Sequence, residues 1–335
     1  MVNVAVFGAG RWGRNLVRNF ASLGDADLKY VCDPAEAIRE TIAGQYPGTR
    51  VTDDPQRVLD DDDVRAVVVA APAPEHYEVA KAALEAGKHV FVEKPLTLEV
   101  EDAERLVELA ASRDRKLMVG HLLLYHPAVE YLRQMVRDEL VGQPLYLYFQ
   151  RINLGVVRQD ENAWWSLAPH DVSVACYLFD AEPVSVSANG QDYLQNGIED
   201  VVFANLTFAD GQMANIHVSW LDPHKIRKLT LVGSQKMAVF DDMQAAEKIR
   251  IYDKGAVVPS IEQYHEAIGL RIGDIHIPKI PAAEPLRLEC QHFLDCIQQD
   301  LEPRTDGKDG LRVVRVLNAG SKSLAQHGAP VAPCG

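Results

Sequence analysis

The triplet Glu93-Lys94-Pro95 is the part of this 335-residue chain best suited to act on a small molecule. It closes the apolar run His89-Val90-Phe91-Val92, which reads as a strand, so Lys94 falls at that strand's carboxyl end. Open α/β sheets bind ligands at that edge. A lysine there can meet a substrate hydroxyl or carbonyl, while Pro95 fixes the backbone beyond it and ends the strand. A second group, Gly8-Ala9-Gly10-Arg11-Trp12-Gly13, follows the first strand and opens a helix. Gly8 permits a tight turn, Gly10 lets the backbone approach a pyrophosphate, and Gly13 lets helix and strand pack closely. The helix start supplies unpaired N–H groups and a positive dipole end, with Arg11 and Trp12 in the same loop. Asp33 ends the second strand, 23 residues after Gly10. Its carboxylate can accept hydrogen bonds from both adenosine ribose hydroxyls and would repel a 2′-phosphate, so the cofactor expected is NAD rather than NADP. Ala71-Pro72-Ala73-Pro74 ends the fourth strand beside that groove, and Ala71 and Pro72 are cofactor-side candidates. His76, just beyond, reads equally as a cofactor contact or as a capping or surface residue.

These groups need a frame to hold them, and the first 120 residues supply one. Strand signals at Val2–Phe7, Leu28–Cys32, Arg50–Thr52, Arg65–Ala70, His89–Val92 and Lys116–Gly120 alternate with helix patterns. The three consecutive valines Val67-Val68-Val69 are what a buried parallel strand requires. The alternation predicts an α/β Rossmann domain over 1–120, a doubly wound parallel sheet. After residue 121 the rhythm changes. A helix from Pro127 to about Leu140 precedes strand-like segments at Leu145–Ile152, Val184–Val186, Val201–Phe208, Met213–Trp220, Lys228–Val232, Met237–Asp241 and Lys248–Tyr252. Two helices follow, near Leu286–Gln299 and Gly310–Ala325. An α+β domain over 121–335 with an open, largely antiparallel sheet is expected, serving substrate binding and oligomerisation.

Composition narrows the function classes. The formal net charge of −14 argues against nucleic acid or an anionic membrane surface as a partner. It leaves room for an anionic small molecule, because a local basic pocket outweighs a distant acidic surface. The five cysteines, Cys32, Cys176, Cys290, Cys296 and Cys334, form no CxxC pair, which points to reduced thiols and no metal site. No apolar run is long enough to span a bilayer, and the N-terminus enters a strand at once, so no signal peptide and a cytoplasmic location are expected.

Taken together, the glycine loop, Asp33, the Ala-Pro-Ala-Pro loop with His76, and Glu93-Lys94-Pro95 resemble the glucose–fructose oxidoreductase / inositol dehydrogenase / MocA family along essentially the whole chain. The second half looks most like bacterial enzymes that oxidise the C3 hydroxyl of UDP-N-acetylglucosamine or its uronic acid. Gly120-His121, Tyr125-His126-Pro127-Ala128, Asn153-Leu154-Gly155, Arg158, Asp160-Glu161-Asn162, Ala168-Pro169-His170-Asp171 and Ser219-Trp220-Leu221-Asp222-Pro223 carry that likeness. The resemblance implies that Lys94 and His170 lie beside the nicotinamide and the reacting carbon. Many members have an aspartate four residues before this histidine, where the present chain has Ser166.

Oxidising a secondary alcohol needs a base for the hydroxyl proton and a hydride acceptor at the same carbon. His170 suits the base role, since imidazole titrates near neutrality. Lys94 would hydrogen-bond the reacting oxygen, or act as the base itself if burial lowers its pKa. Glu93 is expected to orient the nicotinamide ribose or Lys94. On the substrate side, Arg151, Arg158, Lys225 and Arg227 are candidates for a diphosphate. Asn153 and Asn162 are candidates for sugar hydroxyls or an N-acetyl group, and Trp220 for a ring face. His121, Tyr125 and Ser166 complete the candidate lining. The reaction expected is NAD-dependent oxidation of a UDP-N-acetylhexosamine to its 3-keto sugar in cell-envelope (lipopolysaccharide) amino-sugar biosynthesis, by a homodimer or homotetramer built on the second sheet. The alternatives are an inositol- or aldose-type polyol dehydrogenase and, in another class, a non-catalytic NAD-binding sensor.

Overall fold

In the computed structural model the described residues are 1–257 and 269–333, and they divide into two compact units. Cys334 lies outside them. The first unit comprises Met1–Tyr125 and Ala283–Val314. Its chain alternates β1 (Val2–Phe7), α1 (Gly13–Ser22), β2 (Ala26–Cys32), α2 (Glu36–Gln45), β3 (Arg50–Thr52), α3 (Pro55–Leu59), β4 (Ala66–Val69), α4 (His76–Glu85), β5 (His89–Glu93), α5 (Val100–Ser112) and β6 (Leu117–Gly120). The six strands lie in the order β3-β2-β1-β4-β5-β6, and all pair in parallel. This is the doubly wound dinucleotide-binding order, with its switch point between β1 and β4. All four residues of β4 are buried, as a strand covered on both faces demands.

The second unit comprises His126–Ala282 and Arg315–Gly335. Its elements are α6 (Pro127–Arg137), β7 (Pro144–Ile152), α7 (Ala163–Phe179), β8 (Pro183–Gln191), β9 (Val201–Phe208), β10 (Met213–Ser219), β11 (Ile226–Gly233), β12 (Met237–Asp241), β13 (Ile249–Val257) and β14 (Gly269–His276). Among the described residues these strands form a sheet in the order β14-β13-β12-β11-β7-β10-β9-β8. Every pairing is antiparallel except β7 with β10. Strand β9 alternates buried and exposed residues, so one face packs inward while Phe203 on the other stacks on His217. The strand pattern did not announce α7. That helix buries Trp164, Val172, Val174, Ala175, Leu178 and Phe179 around most of its circumference, so it lacks the one-sided periodicity that marks a surface helix.

The division departs from a simple cut at residue 120. Two last helices, α8 (Pro285–Gln299) and α9 (Gly307–Ala325), follow β14. All of α8 and the start of α9 belong with the first unit. Phe293 of α8 packs on Phe91 of β5, with ring centroids 5.7 Å apart. The Val119 N–H of β6 donates to the Thr305 carbonyl at 2.8 Å, and Met118 bridges to Asp306. An edge strand needs its open hydrogen-bonding side covered, and residues 305–306 do this for β6. Later residues of α9 serve the second unit. Gly320 leaves room there for the Trp164 indole, which a Cβ would meet at 2.5 Å, and Trp164 Nε1 donates to the Leu317 carbonyl at 2.9 Å.

Candidate functional site

The first unit gathers its predicted residues at the carboxyl ends of its strands. Gly8, after β1, has φ +86°, and a Cβ on it would stand 2.8 Å from the Ala70 carbonyl oxygen and the Ala71 nitrogen. A side chain on Gly13 would meet the Gly8 carbonyl oxygen at 2.1 Å. Both positions require glycine for close approach. By contrast, nothing lies within 4 Å of a Cβ at Gly10, so the loop is open there. No side chain caps the start of α1. The Arg14 and Asn15 N–H groups turn back to the Gly10 and Trp12 carbonyls at 3.2 and 2.8 Å, so the helix opens with a tight backbone turn and its positive dipole end toward the loop. Asp33 is buried; its Oδ2 accepts from the Ala9 N–H at 2.7 Å and its Oδ1 from the Ala35 N–H at 2.9 Å. This stitches the glycine loop to the end of β2. Arg39, the nearest basic side chain, is committed to the Asp33 and Pro34 carbonyls and to Asp53. An open glycine loop, an uncapped helix start and a buried aspartate fit NAD.

Both ring nitrogens of His76 meet backbone carbonyls. Nδ1 lies 2.7 Å from the Pro95 carbonyl and Nε2 lies 2.9 Å from the Ala71 carbonyl, so it ties the β4 loop to the β5 loop. Burial lowers its pKa, opposed by the two carbonyl contacts. Glu93 is buried at the end of β5. Its Oε1 accepts from Trp12 Nε1 at 2.5 Å and its Oε2 from the Lys94 backbone N–H at 3.2 Å. Trp12, 43% exposed, therefore links the glycine loop to Glu93. Burial pushes the Glu93 carboxyl up to about 7, against the opposing pull of the Trp12 hydrogen bond. The Lys94–Pro95 peptide is cis.

Around these lie groups that sequence reasoning missed or placed differently. The register pairs Glu93 with Gly120, so Lys94 and His121 follow on neighbouring strands. His121 is buried, with Nδ1 3.5 Å from Asp309 Oδ2. Burial favours the uncharged form of both: Asp309 rises to about 7, while His121 falls to about 3 with help from Lys94. Glu289 of α8 is fully buried, and neither carboxylate oxygen has a hydrogen-bond partner among the described residues. Burial, reinforced by Glu93, holds its pKa well above the ordinary range. Tyr125 is also buried, bonded to Thr305 Oγ1 at 3.0 Å and covered by Arg304, so it serves packing rather than lining a pocket.

In the second unit several candidates have protein partners within the same unit. Asn162 caps α7: its Oδ1 accepts from the Trp165 N–H at 3.1 Å, and its Nδ2 donates to Glu199 at 2.6 Å. Trp220 is 2% exposed with Nε1 2.5 Å from Asp200, which leaves it no face for a sugar. Arg151, at the end of β7, forks onto Asp171 of α7, with Nη2–Oδ1 at 2.7 Å and Nε–Oδ2 at 3.0 Å. All three have protein partners, which the sequence reading of them as ligand contacts did not foresee. Arg227 of β11 pairs in register with Arg151 and is exposed. Packing and the Arg151 charge lower its pKa. Lys225 is exposed, and exposed Arg158 lies 3.3 Å from Glu161. Asn153 follows β7 and bonds through its backbone to Ser219. Ser166 and His170 both lie on α7, half-buried. Pro169 interrupts the helix there, removing one backbone donor.

Comparison with known proteins gives a consistent likeness. Residues 2–121 match the "Oxidoreductase family, NAD-binding Rossmann fold", and residues 129–239 match the "GFO/IDH/MocA C-terminal domain". The UDP-N-acetylglucosamine 3-dehydrogenase of Acidithiobacillus ferrooxidans is 32% identical over 254 residues, covering 75% of this chain and 76% of that one. The scyllo-inositol 2-dehydrogenase (NAD(+)) of Bacillus subtilis is 26% identical over 348 residues, covering 98% and 96%. A solved structure of the Acidithiobacillus ferrooxidans enzyme superposes with TM-score 0.84 at 27% identity, covering 97% of this chain and 98% of that one.

Proposed function

Because the chain belongs to the GFO/IDH/MocA family of NAD-binding oxidoreductases, we propose that it oxidises the C3 hydroxyl of a UDP-N-acetylhexosamine, UDP-N-acetylglucosamine foremost, to the 3-keto sugar. The observation that carries this is the 32% identity to a UDP-N-acetylglucosamine 3-dehydrogenase over three quarters of the chain. When bound, NAD supplies the hydride acceptor. Lys94, at the carboxyl end of β5, donates a hydrogen bond to the reacting oxygen and steadies developing alkoxide charge. His170 takes the hydroxyl proton. Glu93 holds the Lys94 backbone through its N–H. Arg227, Lys225 and Arg158 are the cations left to meet a diphosphate, and Asn153 a sugar hydroxyl.

The product is a ketone suited to a transaminase, and the proposed role is in amino-sugar synthesis for the cell envelope, in the cytoplasm. No helix among the described residues is long and apolar enough to cross a membrane. The sheet of the second unit exposes Tyr146, Phe203 and Met213, a surface suited to pairing with a second copy in a homo-oligomer.

A second reading is oxidation of a free polyol, favoured by the match of the scyllo-inositol enzyme along 98% of this chain. NADH absorbance on mixing enzyme and NAD with UDP-N-acetylglucosamine, and separately with inositols, decides. Turnover of the sugar nucleotide is expected; turnover of inositols alone would replace the first reading with the second. Lys94→Ala is expected to reduce kcat by about 10³-fold with whichever substrate is used.

A further inference from the structure

We propose that the Arg151–Asp171 fork is a positioning device for His170, so that Arg151 acts through the candidate base and not on a phosphate. The inference rests on the reading of His170 as that base. Pro169 sits inside α7 one residue before His170. It has no N–H for the carbonyl four residues earlier, and its ring crowds that turn. Helical hydrogen bonding is therefore weakest at the turn that carries the imidazole. Ser166 holds the i−4 place, so no carboxylate of α7 backs the ring from there.

The fork supplies what the helix lacks. Asp171 takes Arg151 Nη2 at 2.7 Å and Nε at 3.0 Å, with a third contact between Nε and Oδ1 at 3.2 Å. The two side chains are 11% and 4% exposed, so water competes little. Arg151 stands on β7, which is hydrogen-bonded to β11 on one side and β10 on the other. The anchor is thus the middle of the sheet rather than a loop. Successive helix residues are rotated by about 100°, so pinning Asp171 sets the direction of His170 without touching its ring. Ser173 Oγ donates to the His170 carbonyl at 2.9 Å and ties down the same turn from its other end. The fork also neutralises Arg151 beside Arg227, its register partner, and leaves Arg227 as the strand-pair cation for a substrate anion.

The test follows the His170 ring signals by nuclear magnetic resonance in the full chain with isotope-labelled histidine, assigned by loss in His170→Gln. Asp171→Asn and Arg151→Lys should both move or broaden those signals. Both should lower kcat with UDP-N-acetylglucosamine by about 10- to 100-fold while KM stays within about twofold, and their effects should not add. NAD affinity should match the unsubstituted protein, and a cooperative thermal melt with well-dispersed amide signals shows that each variant is folded. If Asp171→Asn failed to fold, Arg151→Lys would still decide. Unchanged His170 signals in the folded variants would overturn the proposal. So would a raised KM at full kcat in Arg151→Lys with Asp171→Asn near normal, because Arg151 would then grip the substrate. Absence of turnover with any UDP-sugar would sink the reading of the reaction, while the ring signals would still decide the fork.

Discussion

Asp33 with its two backbone N–H donors aside, the two units hold their desolvated carboxyl groups in contrasting ways. In the first, Glu93, Glu289 and Asp309 are desolvated with few or no partners, and all three hold their protons more tightly than usual. In the second, Asp171 is forked by Arg151, Asp242 meets Lys248 at 3.1 Å and His126 at 3.5 Å, and Asp200 accepts from Trp220 and from the Tyr193 and Leu194 N–H groups. Asp242 is held below the ordinary carboxylate range, with the His126 hydrogen bond the largest cause. A neutral buried acid can store or move a proton at little cost, whereas an ion pair fixes geometry. The unit with the NAD loop and Lys94 holds the first kind. The unit with α7 and His170 holds the second.

Breaking an ion pair should show this contrast most strongly. Arg151→Met strands the Asp171 charge in a buried site and should cost about 3–5 kcal/mol in urea unfolding. A loss under 1 kcal/mol, after allowance for errors of about that size, would mean that the fork adds little.

The next effect is one of pH. Between about pH 4 and pH 7 an unfolded aspartate is ionised while folded Asp309 still holds its proton, so the folded state binds more protons and stability falls as pH rises. The penalty for that group is on the order of 4 kcal/mol at its full extent. Asp309→Asn should therefore flatten thermal stability across this window. An unaltered slope would show that Asp309 is not the source.

Glu289→Met should change stability in the direction opposite to Arg151→Met. It removes a carboxyl with no hydrogen bond and should stabilise by about 1–3 kcal/mol. Destabilisation of that size would reveal a bound water or proton path that needs the acid. The smallest expected effect is at Asp242. Its contribution is present above the ordinary carboxylate range and is lost as pH falls below it. Asp242→Asn should cost about 1 kcal/mol at pH 7 and progressively less as pH falls from about 4 toward the lowered folded value, as read by denaturant midpoints.

Much of the first unit could be read from the chain because its signals are local. Gly8, Gly10 and Gly13 carry their geometry in their spacing, and Asp33 and Lys94 stand where strands end. Asn162 is the more instructive case. Its residue type and place before a helix mark a cap as readily as a ligand, and its hydrogen bond to the Trp165 N–H decides for the cap. Helix α7 escaped strand-by-strand reading because it is buried nearly all round. Trp220 looked like a sugar platform because residue type says nothing about which faces a neighbour covers.

The sequence by itself determined the alternation of strands and helices in the first unit, the NAD loop and the position of Lys94 at a strand end, because backbone sterics and hydrophobic period act over a few residues. Only the tertiary structure decided that Ala283–Val314 returns to the first unit, that burial raises the pKa of Glu289 and Asp309 there, and that Arg151 belongs to Asp171. These facts depend on desolvation and on partners 20 to nearly 200 residues away, such as Arg151 with Asp171 and His121 with Asp309. No local pattern encodes which charges will share the same dry interior.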